Sequence, residues 1–384
     1  MSSNQTFEQS FDLPSAQQFT NSAAELCEQY FGAKGLYPCA EVLSERNQMY
    51  KPEHTNAYFD ISLFPYRADG SFDPPIPTLN DIIMAQPTDA VIERVWQVGK
   101  YIVKLGCSAA IYMEAENLLY LERHTNVRAP KLYAAFTSDD EDPLQYNVPG
   151  EPRTIYYYLI MELIRGEIID DIDVKELKPY IKEKIWALLG EQFRQLRSVK
   201  PENPKHFGRI QGRAYGQMPP LYYAPAPDFA NYGPFTYEQL VQRLIRAAKI
   251  GSALATYPRG DYTTVQRLAY NHAESVMLKG AGPSDRLPVL SHLDPQTHNI
   301  IVNLKRDQNG EPYDVEEVAL VDWFSLCWMP AWYEAGDMCR LTFCLDPTLQ
   351  SMGMNVLETM GKVNLEIAAF FGACVRYHAF HLYH

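Results

Sequence analysis

The sequence predicts an α+β protein of two lobes, in which a small antiparallel β-rich N-lobe precedes a larger, mainly α-helical C-lobe. Up to Leu163 the patterns follow the order strand, strand, helix, strand, strand, which suits a small sheet with one packed helix. After Gly166 the apolar residues adopt helical spacing. A hairpin pattern at 299–321 interrupts the helical part. We therefore expect three segments: an N-terminal extension at 1–76, the N-lobe at 77–165 and the C-lobe at 166–384.

The composition is typical of a water-soluble globular protein. Of the 384 residues, 46% are hydrophobic and 21% are charged, and this length allows two lobes with a substantial core. A net charge of −13 argues against nucleic-acid binding, which requires clustered Lys and Arg. The cysteines include no C-x-x-C pair and are expected to be reduced thiols. Without a signal-peptide pattern or a membrane-length apolar run, we expect a cytoplasmic protein with no membrane partner, and its oligomeric state stays open.

The N-lobe pattern begins at Thr78, which is placed to cap a helix that carries Asp81 in its first turn. Residues 91–106 then predict a hairpin, because Val91, Glu93 and Val95 share one face and the β-branched Ile102 and Val103 flank the next strand. The spacing becomes helical over Ser108–Arg123. The other elements expected in this half are a helix at Ser15–Phe31 and strands at Lys131–Phe136 and Ile155–Leu163.

The C-lobe pattern contains several helices. One helix is indicated by apolar residues along a single face, namely Ile181, Ile185, Leu188, Leu189, Phe193 and Leu196. Another helix begins at Thr236, which forms a capping-box pattern with Gln239. The segment 205–235 between them is rich in Pro, Gly and Tyr, and the stretch Val356–His384 is again helical in pattern.

The most informative residues surround the predicted hairpin. His292 and Asp294 precede its first strand, Asn299 stands at the start of that strand, and Asp322 follows the second strand. Because a hairpin brings its outer ends together, these polar groups should converge at one rim. Phosphoryl transfer needs such a set, since one carboxylate accepts the proton of the attacking hydroxyl. A second carboxylate and an amide oxygen hold Mg²⁺ against the nucleotide phosphates.

The spacing His-x-Asp-x-x-x-x-Asn, followed by Val-Asp-Trp, resembles the H-G-D-L-x-x-x-N-I-L and I-D-W-E motifs of aminoglycoside phosphotransferase and choline kinase-like enzymes. The resemblance implies a bilobal protein kinase-like fold and an ATP- and Mg²⁺-dependent phosphotransferase that acts on a small-molecule hydroxyl. It implies that Asp294 is the catalytic base and that His292 supports the catalytic loop. Asn299 and Asp322 are by the same resemblance the magnesium ligands.

The resemblance extends over roughly Pro77 to Asp337. The run around Lys104 is similar to the strand that carries the phosphate-contacting lysine, which implies an ion pair between Lys104 and Glu114. The run 160–166 resembles the hinge, where the backbone of Glu162 and Ile164 would meet adenine. Two further similar stretches are 125–133 and 231–235, and the second resembles the G-P-F segment of fungal members.

The chain also departs from the family pattern. Leu293 replaces the glycine between His and Asp, Pro295 replaces the following leucine, and Thr297-His298 replaces Pro-Gly. No glycine-rich loop precedes Lys104, so clamping of phosphates by backbone amides is not expected. An alternative function is therefore a catalytically impaired pseudokinase that serves as a ligand-binding or regulatory protein. A protein kinase is disfavoured because no Ala-Pro-Glu follows Asp322.

Other interpretations of the same residues stay open at this point. His292, Asp294 and His298 are alternative ligands for Zn²⁺ or Fe²⁺. Glu116 is an alternative partner for Lys104, and Asp337 either braces the catalytic loop or caps a helix. The acidic run Asp170–Asp173 either meets a cationic substrate or starts a solvated helix. Aromatic residues between Tyr215 and Tyr237 either line a substrate site or pack a long loop.

Overall fold

A computed structural model describes residues 19–31, 58–86, 94–139, 153–215, 233–256 and 260–376. Within these ranges an antiparallel sheet with one packed helix precedes a mainly helical part, so the predicted α+β class is confirmed. Every cysteine in the described ranges is a free thiol, as expected. No described helix is long and apolar enough to cross a membrane.

The N-lobe is built on a five-stranded antiparallel sheet with the order β1-β4-β5-β3-β2. Its strands are β1 (Tyr66–Arg67), β2 (Val95–Val98), β3 (Tyr101–Gly106), β4 (Leu132–Ser138) and β5 (Tyr156–Glu162). The two runs of the predicted hairpin are β2 and β3, while residues 91–93 of that prediction lie outside the described residues.

One long helix, α3 (Ala110–His124), packs against this sheet and buries ten consecutive residues from Tyr112 to Leu121. A shorter helix, α2 (Leu79–Met84), lies in a second apolar cluster with Ile76 and Trp96. Thr78 and Asp81 form the capping box of α2, which confirms the predicted helix start. The helix α3 therefore stands between the sheet and the rest of the molecule, where it can carry side chains toward the second lobe.

The C-lobe contains the helices α4 (Pro179–Ser198), α5 (Tyr237–Thr256), α6 (Thr264–Glu274), α7 (Trp332–Leu341), α8 (Pro347–Thr359) and α9 (Leu365–Phe370). The predicted face of α4 is buried except for the partly buried Leu188, and Thr236 with Gln239 forms the expected cap of α5. The helical pattern after Val356 is interrupted at 360–364, because α8 ends before Gly361, whose φ is 101°. Residues 377–384 of that pattern lie outside the described residues.

Two small sheets flank the polar residues His292, Asp294, Asn299 and Asp322. The predicted hairpin is formed by β8 (Ile300–Arg306) and β9 (Pro312–Leu320), with β6 (Glu167–Ile168) beside β8. The strands β7 (Pro288–Ser291) and β10 (Cys327–Pro330) pair with each other at the two ends of this region. The Val321 N–H donates to the Asn299 carbonyl at 3.0 Å, so the outer ends of the hairpin meet as predicted.

Gly166 marks the passage between the lobes. Its φ is 138°, and a Cβ at this position would stand 2.6 Å from the Val302 carbonyl oxygen. Only glycine tolerates this conformation and this close approach. Glycine here lets the chain leave β5 and run directly against β8, next to the catalytic loop.

Residues before position 77 contribute to both lobes. The helix α1 (Ala23–Phe31) lies against the C-lobe, where the Ala23 N–H donates to Asp261 at 2.8 Å. Phe64 stacks on Tyr112 of α3 with ring centroids 3.9 Å apart, and β1 forms an edge of the N-lobe sheet. Part of the predicted extension is thus integrated into the fold, while the lobe limits at 77 and 165 stay predictions.

Candidate active site

The loop predicted to be catalytic begins with His292, directly after β7. His292 is fully buried, its Nδ1 accepts the Asp294 N–H at 3.2 Å, and its Nε2 lies 2.9 Å from the Val321 carbonyl oxygen. Since Nδ1 accepts a hydrogen bond, Nε2 carries the proton and donates it to Val321. The imidazole therefore ties the loop to the residue before Asp322, which is the contact expected of a loop-supporting side chain.

Leu293, at the position where the family has glycine, adopts the left-handed conformation with a φ of 69° and a buried side chain. The backbone geometry that glycine favours is therefore kept, although a leucine must adopt it. The buried carboxylate of Glu334 on α7 holds this turn, because it accepts the N–H groups of His292 at 2.5 Å and of Leu293 at 3.2 Å. Asp337 lies inside α7, so the helix-cap interpretation of this residue is wrong.

Asp294 and Asn299 lie together in the loop. The Asn299 amide nitrogen donates to the Asp294 carbonyl at 3.0 Å and to Asp294 Oδ2 at 3.2 Å. The Gln296 amide nitrogen donates to Asp294 Oδ1 at 2.8 Å. Both carboxylate oxygens of Asp294 are therefore oriented by amide donors, and the amide oxygen of Asn299 is left to accept a proton donor or bind a cation.

Lys104 connects the two lobes. Its Nζ lies 2.7 Å from Glu114 Oε2 on α3 and 2.6 Å from Asp322 Oδ1. The exposed fraction is 21% for the Lys104 side chain, 1% for Glu114 and 40% for Asp322. Asp322 has a φ of 60°, which turns the chain sharply at the end of β9. The ion pair predicted between Lys104 and Glu114 is present, and Asp322 joins it from the C-lobe. We name Lys104, Glu114 and Asp322 the cleft cluster.

Lys104 and Asp322 stabilise each other's charges, whereas burial opposes the charge of Glu114. Burial disfavours a charge on Lys104, but the carboxylates of Glu114 and Asp322 outweigh it and raise the lysine pKa. Burial also works against ionisation of Asp322, yet Lys104 prevails and lowers the pKa of that carboxyl. Burial raises the pKa of Glu114, which Lys104 offsets only in part. At neutral pH the lysine is an ammonium and Asp322 is a carboxylate.

The hinge residues lie apart from these groups. Glu162 ends β5, its N–H donates to the Lys131 carbonyl at 2.9 Å, and its carboxylate binds Arg128 through two hydrogen bonds of 2.8 Å. Burial disfavours ionisation of Glu162, but Arg128 outweighs it and lowers the carboxyl pKa. Ile164 follows as a buried residue, and no described residue accepts its N–H.

The structure thus brings the predicted residues together in two adjacent sets and leaves the hinge separate. The sets are the loop residues His292, Asp294 and Asn299 and the cleft cluster, and they meet through Val321. Among the described residues, Glu162 and Ile164 make no hydrogen bond or ion pair with either set.

Sequence reasoning missed a second charged group on α3. Glu116, the alternative partner for Lys104, binds Arg209 at 3.2 Å instead, and Arg209 also donates to Asn117 Oδ1 at 2.8 Å. The Asn117 amide donates to the carbonyls of Trp323 at 2.7 Å and Phe324 at 3.1 Å. We name Arg209, Glu116 and Asn117 the buried cluster. The burial of Glu114, Glu116 and Asn117 on α3 points to this cluster, and that burial can be seen only in the folded chain.

A transition-metal site at the loop is not supported. Among the described residues no group of three His, Cys, Asp or Glu side chains could hold a metal ion. Both ring nitrogens of His292 already take part in hydrogen bonds within the loop. The Zn²⁺ or Fe²⁺ interpretation of His292, Asp294 and His298 is therefore abandoned.

The acidic run Asp170–Asp173 and the aromatic residues between Tyr215 and Tyr237 are the remaining candidates for a substrate site. Asp170 and Asp171 lie in a short 3-10 turn and line a cavity of about 520 Å³ together with Thr297 and Asp346. Tyr215 is buried and donates to the Trp328 carbonyl at 2.6 Å, as expected of a packing residue. The aromatic residues of the same segment that lie outside the described residues are Tyr222, Tyr223, Phe229 and Tyr232.

Comparison with known proteins places this geometry in context. The sequence model of a phosphotransferase enzyme family (APH) matches residues 87–357. Solved structures similar to this chain include the GDP complex of wild-type aminoglycoside 2′-phosphotransferase-IIIa, at 14% identity and a TM-score of 0.43, covering 73% of this chain and 79% of that one. The GDP and kanamycin complex of APH(2″)-IIIa has 15% identity and a TM-score of 0.42, covering 76% and 87%. No curated protein sequence matches the chain.

Proposed function

The chain belongs to the phosphotransferase enzyme family, and from this premise we propose that it transfers the γ-phosphoryl group of ATP, with Mg²⁺, to a hydroxyl of a small molecule. The observation that carries the proposal is Lys104, whose ammonium is held between Glu114 and Asp322 at 2.7 and 2.6 Å. A fixed cation at the opening between two lobes is what a bound triphosphate requires.

Asp294 is proposed as the catalytic base. Its carboxylate would accept the proton of the substrate hydroxyl as the hydroxyl oxygen attacks the γ-phosphorus and ADP departs. Gln296 and Asn299 hold the two carboxylate oxygens at 2.8 and 3.2 Å, which restricts rotation of the side chain. Such positioning supplies much of the rate enhancement in this kind of reaction, because little covalent chemistry is left to the protein.

Lys104 is proposed to contact the α- and β-phosphates. The raised pKa keeps it charged throughout the physiological range, and its partial exposure leaves the ammonium accessible from the cleft. Glu114 would hold the lysine in place from its buried position on α3. The free Ile164 N–H and the Glu162 backbone at the exit of β5 would receive the adenine edge.

Asn299 and Asp322 are proposed to hold Mg²⁺. Both offer hard oxygen donors, and a magnesium site with one carboxylate, one amide oxygen and substrate phosphates fits this ion. The hydrogen bonds of the Asn299 amide nitrogen to Asp294 leave its oxygen free for this purpose. When bound, Mg²⁺ neutralises the charge that develops on the transferred phosphoryl group.

The test is a phosphorylation assay without a chosen acceptor. The purified chain is incubated with ATP, Mg²⁺ and a small-molecule extract of its host, and mass spectrometry searches for products that gain one phosphate. Asp294→Asn should lower product formation by roughly 10²- to 10⁴-fold, as loss of general base catalysis does. Asp307→Asn, in the exposed β8–β9 turn, is the matched control. Full activity of Asp294→Asn would sink the proposal.

A ligand-binding pseudokinase is the second candidate. Two observations favour it: leucine occupies the left-handed position 293, and the sequence from Pro77 to Val98 contains no glycine that could form a phosphate loop. Thermal-shift titration with ATP separates the possibilities, since a ligand that binds only the native state raises its apparent stability. A shift together with the absence of any phosphorylated product favours the pseudokinase.

A further inference from the structure

The buried cluster joins three other segments of the chain to α3. Glu116 accepts the Asp60 N–H at 3.0 Å and an Arg209 guanidinium hydrogen at 3.2 Å. Arg209 comes from the C-lobe segment before α5, and the same nitrogen also donates to the Met113 carbonyl at 3.2 Å. Arg209 is 0% exposed and Glu116 is 1% exposed. Asp60 and Arg209, which belong to two different segments, are therefore both held by α3, and the contact between Arg209 and Glu116 has no access to solvent.

Asn117 connects this cluster to the cleft. Its side-chain oxygen accepts from Arg209, while its amide nitrogen donates to the backbone carbonyls of the two residues that follow Asp322. Glu114 lies on the same helix three residues earlier, and Lys104 bonds both Glu114 and Asp322. Asn117 and Lys104 therefore both link α3 to the turn at Asp322. The contacts of Asn117 set the distance between α3 and this turn, and Lys104 bridges the same distance through Glu114 and Asp322.

Stability alone does not account for such a cluster. Burial of an ion pair removes two charges from water, and apolar residues of similar volume often give an equal or greater stability. A charged nitrogen that shares its hydrogens among three acceptors on one helix does, however, restrict the position of that helix. The arrangement is therefore suited to fixing geometry.

We propose that Arg209, Glu116 and Asn117 are positioning residues that hold α3 at the distance where Glu114 and Asp322 engage Lys104, so that the phosphate-contacting lysine is in place before any nucleotide binds. This inference rests on the proposed nucleotide site. It goes beyond that site by naming residues that touch neither ATP nor the acceptor.

The key variant is Asn117→Asp. It keeps the size of the side chain and the acceptor for Arg209 but removes the donor to the carbonyls after Asp322. The matched control is Asn355→Asp on α8, where the same exchange removes a donor to the Ser351 carbonyl. A second variant, Glu116→Gln, keeps an acceptor for the Asp60 N–H and removes the charge that faces Arg209, so the test survives if Asn117→Asp fails to fold.

The first measurement is hydrogen exchange of the full chain without nucleotide. The proposal expects faster exchange in residues 110–124 and 322–326 of Asn117→Asp, with α4 unchanged and the Asn355→Asp control at the wild-type level. Unchanged exchange in these two ranges overturns the proposal, and so does a uniform increase across the C-lobe. Because no ligand is involved, this measurement tests the positioning role even if the chain binds no nucleotide. A failure to bind nucleotide would contradict only the proposed function.

The second measurement is a double-mutant cycle on ATP affinity with Lys104→Met. Asn117→Asp should weaken ATP binding by about tenfold in the wild-type background and have no further effect once Lys104 is absent, because it acts through that lysine. An equal loss in both backgrounds indicates a merely structural role and overturns the proposal. The cycle isolates coupling to the lysine from any general loss of stability.

Discussion

The helix α3 carries two charged clusters of similar chemistry into opposite surroundings. The cleft cluster has its lysine and Asp322 partly exposed, whereas Arg209 and Glu116 of the buried cluster are sealed. Glu114 and Glu116 stand two positions apart on one helix and are equally buried, yet Glu114 pairs with the partly exposed Lys104 and Glu116 with the sealed Arg209. The partly exposed charges of the cleft cluster can contact a ligand directly, whereas the sealed charges of the buried cluster can act on a ligand only by holding α3 in position.

The two clusters also differ in the hydrogen-bond partners of their cations. Lys104 has two carboxylate partners and remains reachable from the cleft, so a phosphate can compete for its third hydrogen. One Arg209 nitrogen shares its two hydrogens among three acceptors, and all of them belong to α3. Changes to the buried cluster should therefore lower stability and affect a ligand only through Lys104, whereas changes to the cleft cluster should act directly on ligand binding.

Removal of the buried cation should give the largest effect. Arg209→Met leaves the Glu116 carboxylate buried without its main partner, and we expect the free energy of unfolding to fall by about 3–5 kcal/mol. Urea denaturation measures it. Arg306→Met, which removes an exposed pair with Glu167, should cost less than about 1 kcal/mol. An equal loss of unfolding free energy in Arg209→Met and Arg306→Met would contradict the distinction between buried and exposed ion pairs.

Removal of the cleft cation should instead affect the ligand. Lys104→Met is expected to weaken ATP binding by roughly 10- to 100-fold, because a charge-assisted contact contributes about 1.5–3 kcal/mol. Calorimetric titration measures the affinity, and Lys131→Met, at an exposed lysine on the same lobe, is the control. If ATP affinity is unaffected, Lys104 does not contact the nucleotide and the comparison between clusters fails on its functional side.

A smaller effect is expected at Leu293, the buried residue with a left-handed backbone in the loop between His292 and Asn299. Leu293→Gly loses a buried side chain but relieves a left-handed backbone that costs a non-glycine residue roughly 1–2 kcal/mol. We expect Leu293→Gly to be at least as stable as Leu293→Ala, as judged by thermal unfolding. At Leu290, an equally buried residue of β7, the order should reverse by about 1 kcal/mol, since glycine weakens a strand. The same order at both sites would refute strain at 293.

The smallest effect is a pH dependence at Asp322. Its folded-state pKa lies below the ordinary value of 3.8, so its contribution to stability is present above that pH and is lost as the pH falls through the folded value. The stability difference between the wild type and Asp322→Asn should therefore shrink as the pH falls from 6 toward 3. Since this side chain is 40% exposed, solvent screening limits the change to under about 1 kcal/mol. A stability difference that grows as the pH falls would contradict a lowered pKa for Asp322.

Local sequence patterns were sufficient for much of the fold. The capping residues Thr78 and Thr236 predicted helix starts because capping depends on groups only three positions apart. The hairpin of β8 and β9 followed from two apolar runs around Asn309-Gly310. The strand β1, of two residues, carries no periodicity that could be recognised, and β7 pairs with a strand some forty positions later, well beyond any local pattern.

The candidate site was predictable where it resembles a motif and hidden where it depends on packing. The spacing of His292, Asp294 and Asn299 sufficed to group them, and the structure places them in one loop. Glu334 and Arg209 escaped notice because their partners lie 42 and 93 positions away in the chain. Lone charged residues have no pattern of their own, so only the folded chain identifies what they bind.

The edge strand β1 has a practical consequence for work on shortened forms of the protein. A chain cut to the residues that match the family, 87–357, would lose β1, the Asp60 N–H that meets Glu116, and the Phe64 ring stacked on Tyr112. The outer edge of β4 would then be open to pairing with other molecules, a common cause of aggregation. Expression trials should therefore keep the residues from Tyr58 onward, even though they lie outside the family match.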